Sequence, residues 1–75
     1  MKILSVDSIS KVVRQRRIDL GLTQAETAAM CNVGIRFFSE LENGKTTLQI
    51  GKVLHCFEML GINLHAVNRE NDSEA

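Results

Sequence analysis

Apolar and polar positions alternate with the period of an α-helix over most of this chain. Ile9, Val13 and Leu20 are four and seven residues apart, which predicts a first helix, from residue 7 or 8 to Leu20, with one apolar face. Gly21 follows, and glycine is common just beyond a helix end because it adopts positive φ without strain. The first helix is therefore expected to end at this glycine.

The next residues predict a second, shorter helix. Thr23 and Glu26 are three residues apart, the spacing of a capping box in which each side chain bonds to the other residue's backbone amide. We expect this helix over residue 24 to residue 30 or 31. Ala28 lies within it and is small enough to allow a crossing helix to approach closely.

Asn32-Val33-Gly34 then interrupts the helical period. Asn and Gly both tolerate a left-handed backbone, so we expect one at this turn, with Val33 as its buried apolar side chain. A third helix is predicted from Ile35 to about Glu42, with Asn43-Gly44 as its exit. Two short helices joined by a three-residue turn are typical of a helix-turn-helix DNA-binding motif.

A fourth helix is predicted after a short loop. Thr46 is its expected cap because Gln49 stands three residues later. Gly51 lies within this helix and destabilises it by about 1 kcal/mol relative to alanine, a cost that we expect the domain to tolerate. Gly61 is expected to end the helix. Its predicted apolar stripe has i, i+3, i+4, i+7 spacing and consists of Ile50, Val53, Leu54 and Phe57.

Beyond this helix, residues 62–67 alternate between apolar and polar, which is the period of a strand. A single strand leaves an unpaired edge, so we expect it to pair with the same segment of a second copy. The alternative is an extended tail packed on the helices. The strand residues expected at the dimer interface are Ile62, Leu64, Ala66 and Val67.

Length and charge refine this picture. A chain of 75 residues forms one small domain, which a dimer would stabilise because such domains bury only about 60% of their unfolded surface. The net charge is zero, yet residues 1–24 carry a balance of +3 and residues 70–75 one of −3. We therefore divide the chain into a DNA-binding domain, residues 1–69, and a disordered acidic tail, residues 70–75. No apolar run or leader marks a membrane or secreted protein, which predicts a cytoplasmic one.

Catalytic and metal chemistry find no support in the sequence. Cys31 and Cys56 are 25 residues apart, and neither His55 nor His65 has metal-binding spacing, so we expect reduced, buried cysteines and no metal or cofactor. No nucleophile elbow or triad pattern is present, and a small helical bundle has no enzyme-sized pocket. A binding protein is therefore expected rather than an enzyme.

Two stretches, RQRRIDLGLTQAE at residues 14–26 and LENGK at residues 41–45, resemble the Cro/C1 or XRE family of phage-repressor proteins. The resemblance covers residues 8 to about 62 and implies an all-α, lambda-repressor-like bundle of four to five helices. It also implies that Arg17 and Glu42 form a buried ion pair joining the first helix to the end of the third.

Within that family, FFSELENGK at residues 37–45 and the strand at residues 62–67 resemble the HipB-like antitoxin branch. That resemblance implies a homodimer whose C-terminal strands pair into a small sheet. It further implies binding to the protein's own operator and to a HipA-type serine/threonine kinase toxin.

The third helix supplies the candidate base-reading residues. Phe38 and Leu41 are three residues apart and belong with Val33 on the core side. Phe37 is expected either to pack beneath the fourth helix or to form an apolar wedge at the DNA. The positions left facing outward are Gly34, Ile35, Arg36, Ser39 and Glu40.

Each outward side chain has a chemical role at a base edge. Arg36 can bond to O6 and N7 of guanine, Ser39 to several base edges, and Ile35 can touch a thymine methyl group. Glu40 is expected to orient Arg36 at i, i+4 spacing; its alternative is to accept a hydrogen bond from cytosine.

A second set of residues is expected at the DNA backbone. The resemblance makes Gln24 a phosphate clamp, for which the alternative is an exposed glutamine without a partner. Lys45 either reaches a phosphate or is simply solvated, and nearby hydroxyl groups can add contacts. The candidate phosphate-binding residues are Thr23, Gln24, Lys45 and Thr46.

Two functional hypotheses follow from these patterns. The first is a dimeric, sequence-specific repressor, belonging to a toxin-antitoxin operon, that inserts the third helix of each copy into successive major grooves. The second is a protein-interaction module that restrains a partner, with DNA binding secondary. The zero net charge and the acidic tail favour the second hypothesis.

Overall fold

The structure is a computed structural model that describes residues 5–66 and residue 68. Within those residues the chain forms four helices: α1 (Val6–Asp19), α2 (Gln24–Met30), α3 (Ile35–Glu42) and α4 (Ile50–Met59). The bounds predicted for the first three helices are confirmed to within about one residue. None of the four has the length and apolar character needed to cross a bilayer.

Both ends of α1 follow from local chemistry. The Ser5 hydroxyl accepts a hydrogen bond from the Ser8 amide at 3.2 Å, and Gly21 has φ +71°, as expected beyond a helix end. Leu20, however, is exposed and does not belong to the buried face. It is the C-cap residue at the end of α1, and of the predicted apolar face only Val13, with the partly buried Ile9, packs in the core.

The predicted capping box at α2 is confirmed. The Glu26 amide donates to the Thr23 hydroxyl at 3.1 Å, and the Thr23 amide donates to the Glu26 carboxylate at 2.9 Å. In the following turn Asn32 adopts φ +56°, as expected, and Val33 packs against the core. Gly34, the other residue of the turn that tolerates a left-handed backbone, is extended (φ −68°) and occupies the N-cap of α3.

The core lies where α1 crosses α2 and α3 and where α4 closes over them. Ala28 is buried, as its small size suggested. Both cysteines are free and fully buried. The buried apolar residues are Val13, Ala28, Cys31, Phe38, Leu41, Val53, Cys56, Phe57 and Leu60.

The start of α4 and its buried face differ from the prediction. Thr46 does not cap the helix; residue Gln49 occupies the N-cap, without a side-chain hydrogen bond. Ile50 and Leu54 are 64% and 46% exposed. The buried set is Val53, Cys56, Phe57 and Leu60, which has the same i, i+3, i+4, i+7 spacing displaced by three residues.

After α4 the chain has no regular secondary structure in residues 62–66. Gly61 has φ +70°, and the Ile62 amide donates to the Phe57 carbonyl at 2.8 Å, which seats Ile62 against the core. Residues 63–66 are exposed, and no strand is formed in residues 62–66 of this single chain. The predicted strand residue Val67 and the predicted tail, residues 70–75, lie outside the described residues.

Candidate nucleic-acid interface

An ion pair between Arg17 and Glu42 organises the junction of α1, α2 and α3. Both guanidinium edges are used: Nε and Nη2 donate to the two Glu42 oxygens, the latter at 3.1 Å, and Nη1 donates to the Leu22 carbonyl at 2.8 Å. The Glu42 side chain is only 3% exposed. The hydrogen bond to Glu42 raises the pKa of Arg17 above its usual value, so the guanidinium stays charged.

Gln24, the candidate phosphate clamp, is attached to the same pair. Its side-chain amide nitrogen donates to a Glu42 oxygen at 3.0 Å. That bond orients the side chain and leaves one N–H and the carbonyl oxygen of the amide for other partners. Thr23 accepts the capping bond through its hydroxyl oxygen, so its O–H can still donate.

The outward side of α3 presents four of the predicted base-reading residues. Arg36 is the most exposed, with 90% of its side chain accessible, and Ile35 is also exposed. Ser39 and Glu40 are half-buried beside them, and Gly34 is exposed at the N-cap. On the opposite side Phe38 and Leu41 are buried, so the core fixes which face of α3 points outward.

Glu40 lies between two cations. Its carboxylate is 3.7 Å from the Nε of Arg36, as the i, i+4 spacing predicted, but it is closer, at 2.7 Å, to the Nζ of Lys45. The hydrogen bond from Lys45 lowers the pKa of Glu40, and the charge of Arg36 adds a smaller effect. Glu40 therefore holds both a candidate base reader and a candidate phosphate contact on one side of the domain.

The Lys45–Glu40 contact was not predicted from the sequence. The two residues are five apart, and they meet because Gly44, with φ +82°, turns the chain back at the end of α3. The Lys45 amide also donates to the Glu40 carbonyl at 3.1 Å. The available signal was an Asn-Gly pair that begins three residues after Glu40.

Two further polar residues, Arg14 and Asn43, lie beside this junction. They line a polar cavity of about 220 Å³ together with Arg17, Gln24 and Glu42. Arg14 is exposed on α1 and Asn43 at the exit of α3. Their closeness depends on how α1 crosses α3, which the helical periods alone did not indicate.

Phe37 packs against the core rather than projecting as a wedge. It is half-buried, and the Nζ of Lys52 on α4 lies 5.7 Å from its ring centroid, within the range of a cation–π contact. Of the two predicted positions for Phe37, the packed one is therefore observed. No group of three or more potential metal ligands occurs among the described residues.

Known proteins are similar to this chain in sequence and in fold. The family model HTH_3, helix-turn-helix, matches residues 13–66. An uncharacterised HTH-type transcriptional regulator, y4mF of Sinorhizobium fredii (strain NBRC 101917 / NGR234), is 45% identical over 56 residues, or 75% of this chain and 74% of that protein. A solved structure, MDT Protein, has TM-score 0.82 over 92% of this chain and 97% of its own at 19% identity, which shows a shared fold alone. The chain belongs to the XRE-type helix-turn-helix family of transcriptional regulators.

Proposed function

We propose that this regulator is a sequence-specific repressor that binds an operator as a homodimer, with α3 of each copy in successive major grooves about 34 Å apart. The observation that carries the proposal is the exposure of Arg36 on a helix whose opposite face is buried in the core. A fixed helix with an exposed arginine is the geometry that direct readout of a guanine needs.

Base reading is assigned to the outward ridge of α3. Arg36 bonds to a guanine, at about 1 to 3 kcal/mol of discrimination per bidentate contact. Ile35 and Ser39 contact the neighbouring base pairs, and Gly34 lets the backbone approach the groove closely. Glu40 orients Arg36 through the 3.7 Å contact.

Backbone binding is assigned to the residues around the ion pair and the α3 exit. The amide of Gln24 is already oriented by Glu42, and the O–H of Thr23 is free to donate to a phosphate. Lys45 and Thr46 follow α3, and we add Asn43 because it shares the polar cavity with Gln24. Such contacts set the register of α3 on the duplex.

The homodimer is proposed to form through residues 62–67. These residues alternate in polarity, and Leu64 is exposed in the single chain. Pairing with the same segment of a second copy would satisfy the open strand edge and cover apolar side chains.

The finer proposal is that this repressor is the HipB-like antitoxin of a toxin-antitoxin operon and binds a HipA-type kinase toxin. Its support is the resemblance of residues 37–45 and 62–67 to that branch. A kinase-like gene next to this one, whose product co-purifies with the chain at a fixed ratio, is the expected result. Failure of that product to bind would remove the antitoxin role and leave the repressor proposal standing.

Retardation of the DNA upstream of the gene tests the repressor proposal. Arg36→Ala should abolish the preference for that fragment, because it removes both the positive charge and the paired N–H donors of the guanidinium group. Arg36→Lys is the matched control: it keeps the charge, so its salt dependence should equal that of the parent chain while its preference falls. Equal, weak retardation of every fragment by the parent chain would instead favour the protein-interaction module, which the zero net charge also suits.

A further inference from the structure

A groove of about 650 Å³ runs along α1 on the side that Ile62 reaches. Its apolar lining comes from Val12 and Ile18 of α1 and from Ile62. Ile18 is 49% exposed, so the described residues leave about half of its surface uncovered. This groove is separate from the outward side of α3 that carries the base-reading candidates.

The rim of this groove is basic. Lys11, Arg14 and Arg16 line it together with Asp19, and Lys11 is paired with Asp7 on the same helix at 3.0 Å, which leaves a balance of +1 from three cations and two anions. Asp19 accepts a hydrogen bond from Gln15 at 2.8 Å, so its charge is partly engaged. An occupant of this groove should therefore combine apolar side chains with negative charge.

The end of this same chain has that composition. Leu64 is followed by Val67 and, after Arg69, by the three acidic residues Glu70, Asp72 and Glu74, so the segment has a net charge of −2 from one cation and three anions. The segment begins at Ile62, which already lies at one edge of the groove. The segment from residue 62 to residue 74 spans about 40 Å when fully extended. The part of α1 that lines the groove, from Lys11 to Asp19, is only about 12 Å long, so the segment is long enough to follow the groove over its whole length.

The chain's own segment does not enter the groove at its start. Residues 63–66 are exposed, and Leu64 is 47% exposed, although Ile62 beside it is packed. One chain thus presents both an open apolar groove with a basic rim and an uncovered apolar segment that leads to acidic residues. A two-fold arrangement satisfies both, because each copy offers its segment to the groove of the other.

We propose that the groove along α1 binds the C-terminal segment of a second copy, with Leu64 against Val12 and Ile18 and the acidic residues 70–74 against the basic rim. This inference rests on the homodimer proposed above and extends it from strand pairing to an exchange of C-terminal segments. The two copies exchange identical contacts, so the surface is closed and no third copy is recruited.

Paramagnetic broadening in mixed dimers tests the exchange. A nitroxide on Ser73→Cys of an unlabelled copy is mixed with the ¹⁵N-labelled parent chain; the native cysteines are fully buried and stay unmodified in the folded protein. Amides of Lys11 to Ile18 in the ¹⁵N-labelled copy should broaden. A nitroxide on Lys52→Cys, on exposed α4, is the control and should leave those amides sharp.

Two outcomes would overturn the inference. Broadening of α1 only when the nitroxide and the ¹⁵N label are on the same molecule, at concentrations where the chain is monomeric, would assign the groove to the chain's own end. No broadening of α1 in a mixture shown by sedimentation to be dimeric would leave the homodimer intact and the groove without this occupant.

A charge-neutral tail gives an independent test by sedimentation velocity. Replacing the three acids together (Glu70→Gln, Asp72→Asn, Glu74→Gln) should weaken the dimer about tenfold at low salt and flatten its salt dependence, as expected for three exposed ion pairs. Glu58→Gln, an exposed acid on α4, is the control and should change neither. An unchanged dissociation constant, or a parent chain that remains monomeric while it still retards operator DNA, would overturn the exchange without touching the DNA-binding proposal.

Discussion

The helix-turn-helix and the region after it are held to the rest of the molecule by different interactions. Residues 22–45 contribute to the apolar core and are held in addition by directional polar contacts: the capping box, the Arg17–Glu42 pair and a bond from the Ser10 hydroxyl to the Leu41 carbonyl at 2.8 Å. Residues 46–66 are held mainly by apolar packing of α4. Among the described residues, one side-chain hydrogen bond joins residues 46–66 to the rest of the chain: Arg16 donates to the Leu60 carbonyl at 2.8 Å.

The difference follows from what each region must do. Polar contacts are directional, so they fix the angle of α3 relative to α2, on which base reading depends. Apolar packing holds α4 in place and leaves Ile50, Leu54 and Leu64 exposed, which suits a region proposed to meet a second copy. Substitutions that remove one kind of contact at a time can test this division.

The largest effect is expected from Arg17→Ala. It leaves the Glu42 carboxylate, 3% exposed, without its cation, which costs about 3 to 5 kcal/mol of unfolding free energy and should unfold the domain near room temperature. Thermal melting by circular dichroism measures it. Arg14→Ala, an exposed arginine on the same helix, is the control and should melt within a few degrees of the parent chain. A parent-like melt for Arg17→Ala would show that the polar junction does not stabilise the helix-turn-helix.

How far the sequence predicted this region depends on how local each signal is. The capping box and the bounds of α3 are set by residues within a few positions of one another, and both were predicted. The Arg17–Glu42 pair spans 25 residues and was expected only from family resemblance. The Lys45–Glu40 contact was missed because it needs the backbone conformation of Gly44, which a residue pattern does not specify.

A somewhat smaller effect is expected from Leu60→Ala in the apolar region. Leu60 is 1% exposed, and truncation of a buried leucine costs about 3 kcal/mol, since it removes apolar contacts and leaves a cavity. Leu54→Ala on the same helix is the matched control: its side chain is 46% exposed, so we expect a change within about 0.5 kcal/mol. Urea unfolding followed by circular dichroism measures both. Equal costs would mean that α4 is not packed through the face described.

The same pair of residues shows why the α4 face could not be predicted. Ile50, Val53, Leu54 and Phe57 have the same spacing as Val53, Cys56, Phe57 and Leu60. Periodicity fixes a repeat but not which of two overlapping stripes faces inward. The choice is made by contacts with Phe38, Leu41 and Val13, which belong to other helices.

Alkaline pH should weaken the apolar region by about 1 kcal/mol between pH 9 and pH 10. Burial raises the pKa of the Cys56 thiol from 9.0 to about 12, with a smaller contribution from the neighbouring Cys31. The folded state therefore holds this proton more tightly than the unfolded chain. The contribution of the protonated Cys56 thiol to the free energy of unfolding is complete below pH 9 and is lost as the pH rises toward 12. Urea unfolding at each pH measures the loss. Cys56→Ala should remove most of the decrease in unfolding free energy with pH. An equal decrease in the variant and the parent chain would show that groups other than Cys56 cause it.

The smallest expected effect is a gain of about 0.7 kcal/mol from Gly51→Ala, because alanine restricts the unfolded chain and favours the helix. A Cβ added at Gly51 meets no heavy atom of the described residues within 4 Å, so none of those residues opposes the substitution. Urea unfolding measures the gain, and retardation of operator DNA is followed alongside it. A stabilised variant that binds DNA as before would show that glycine is merely tolerated in α4. A stabilised variant with weakened DNA binding or dimerisation would instead show that another molecule approaches the start of α4 closely. The apolar region would then be a contact surface for that molecule, as the outward side of α3 is proposed to be for DNA.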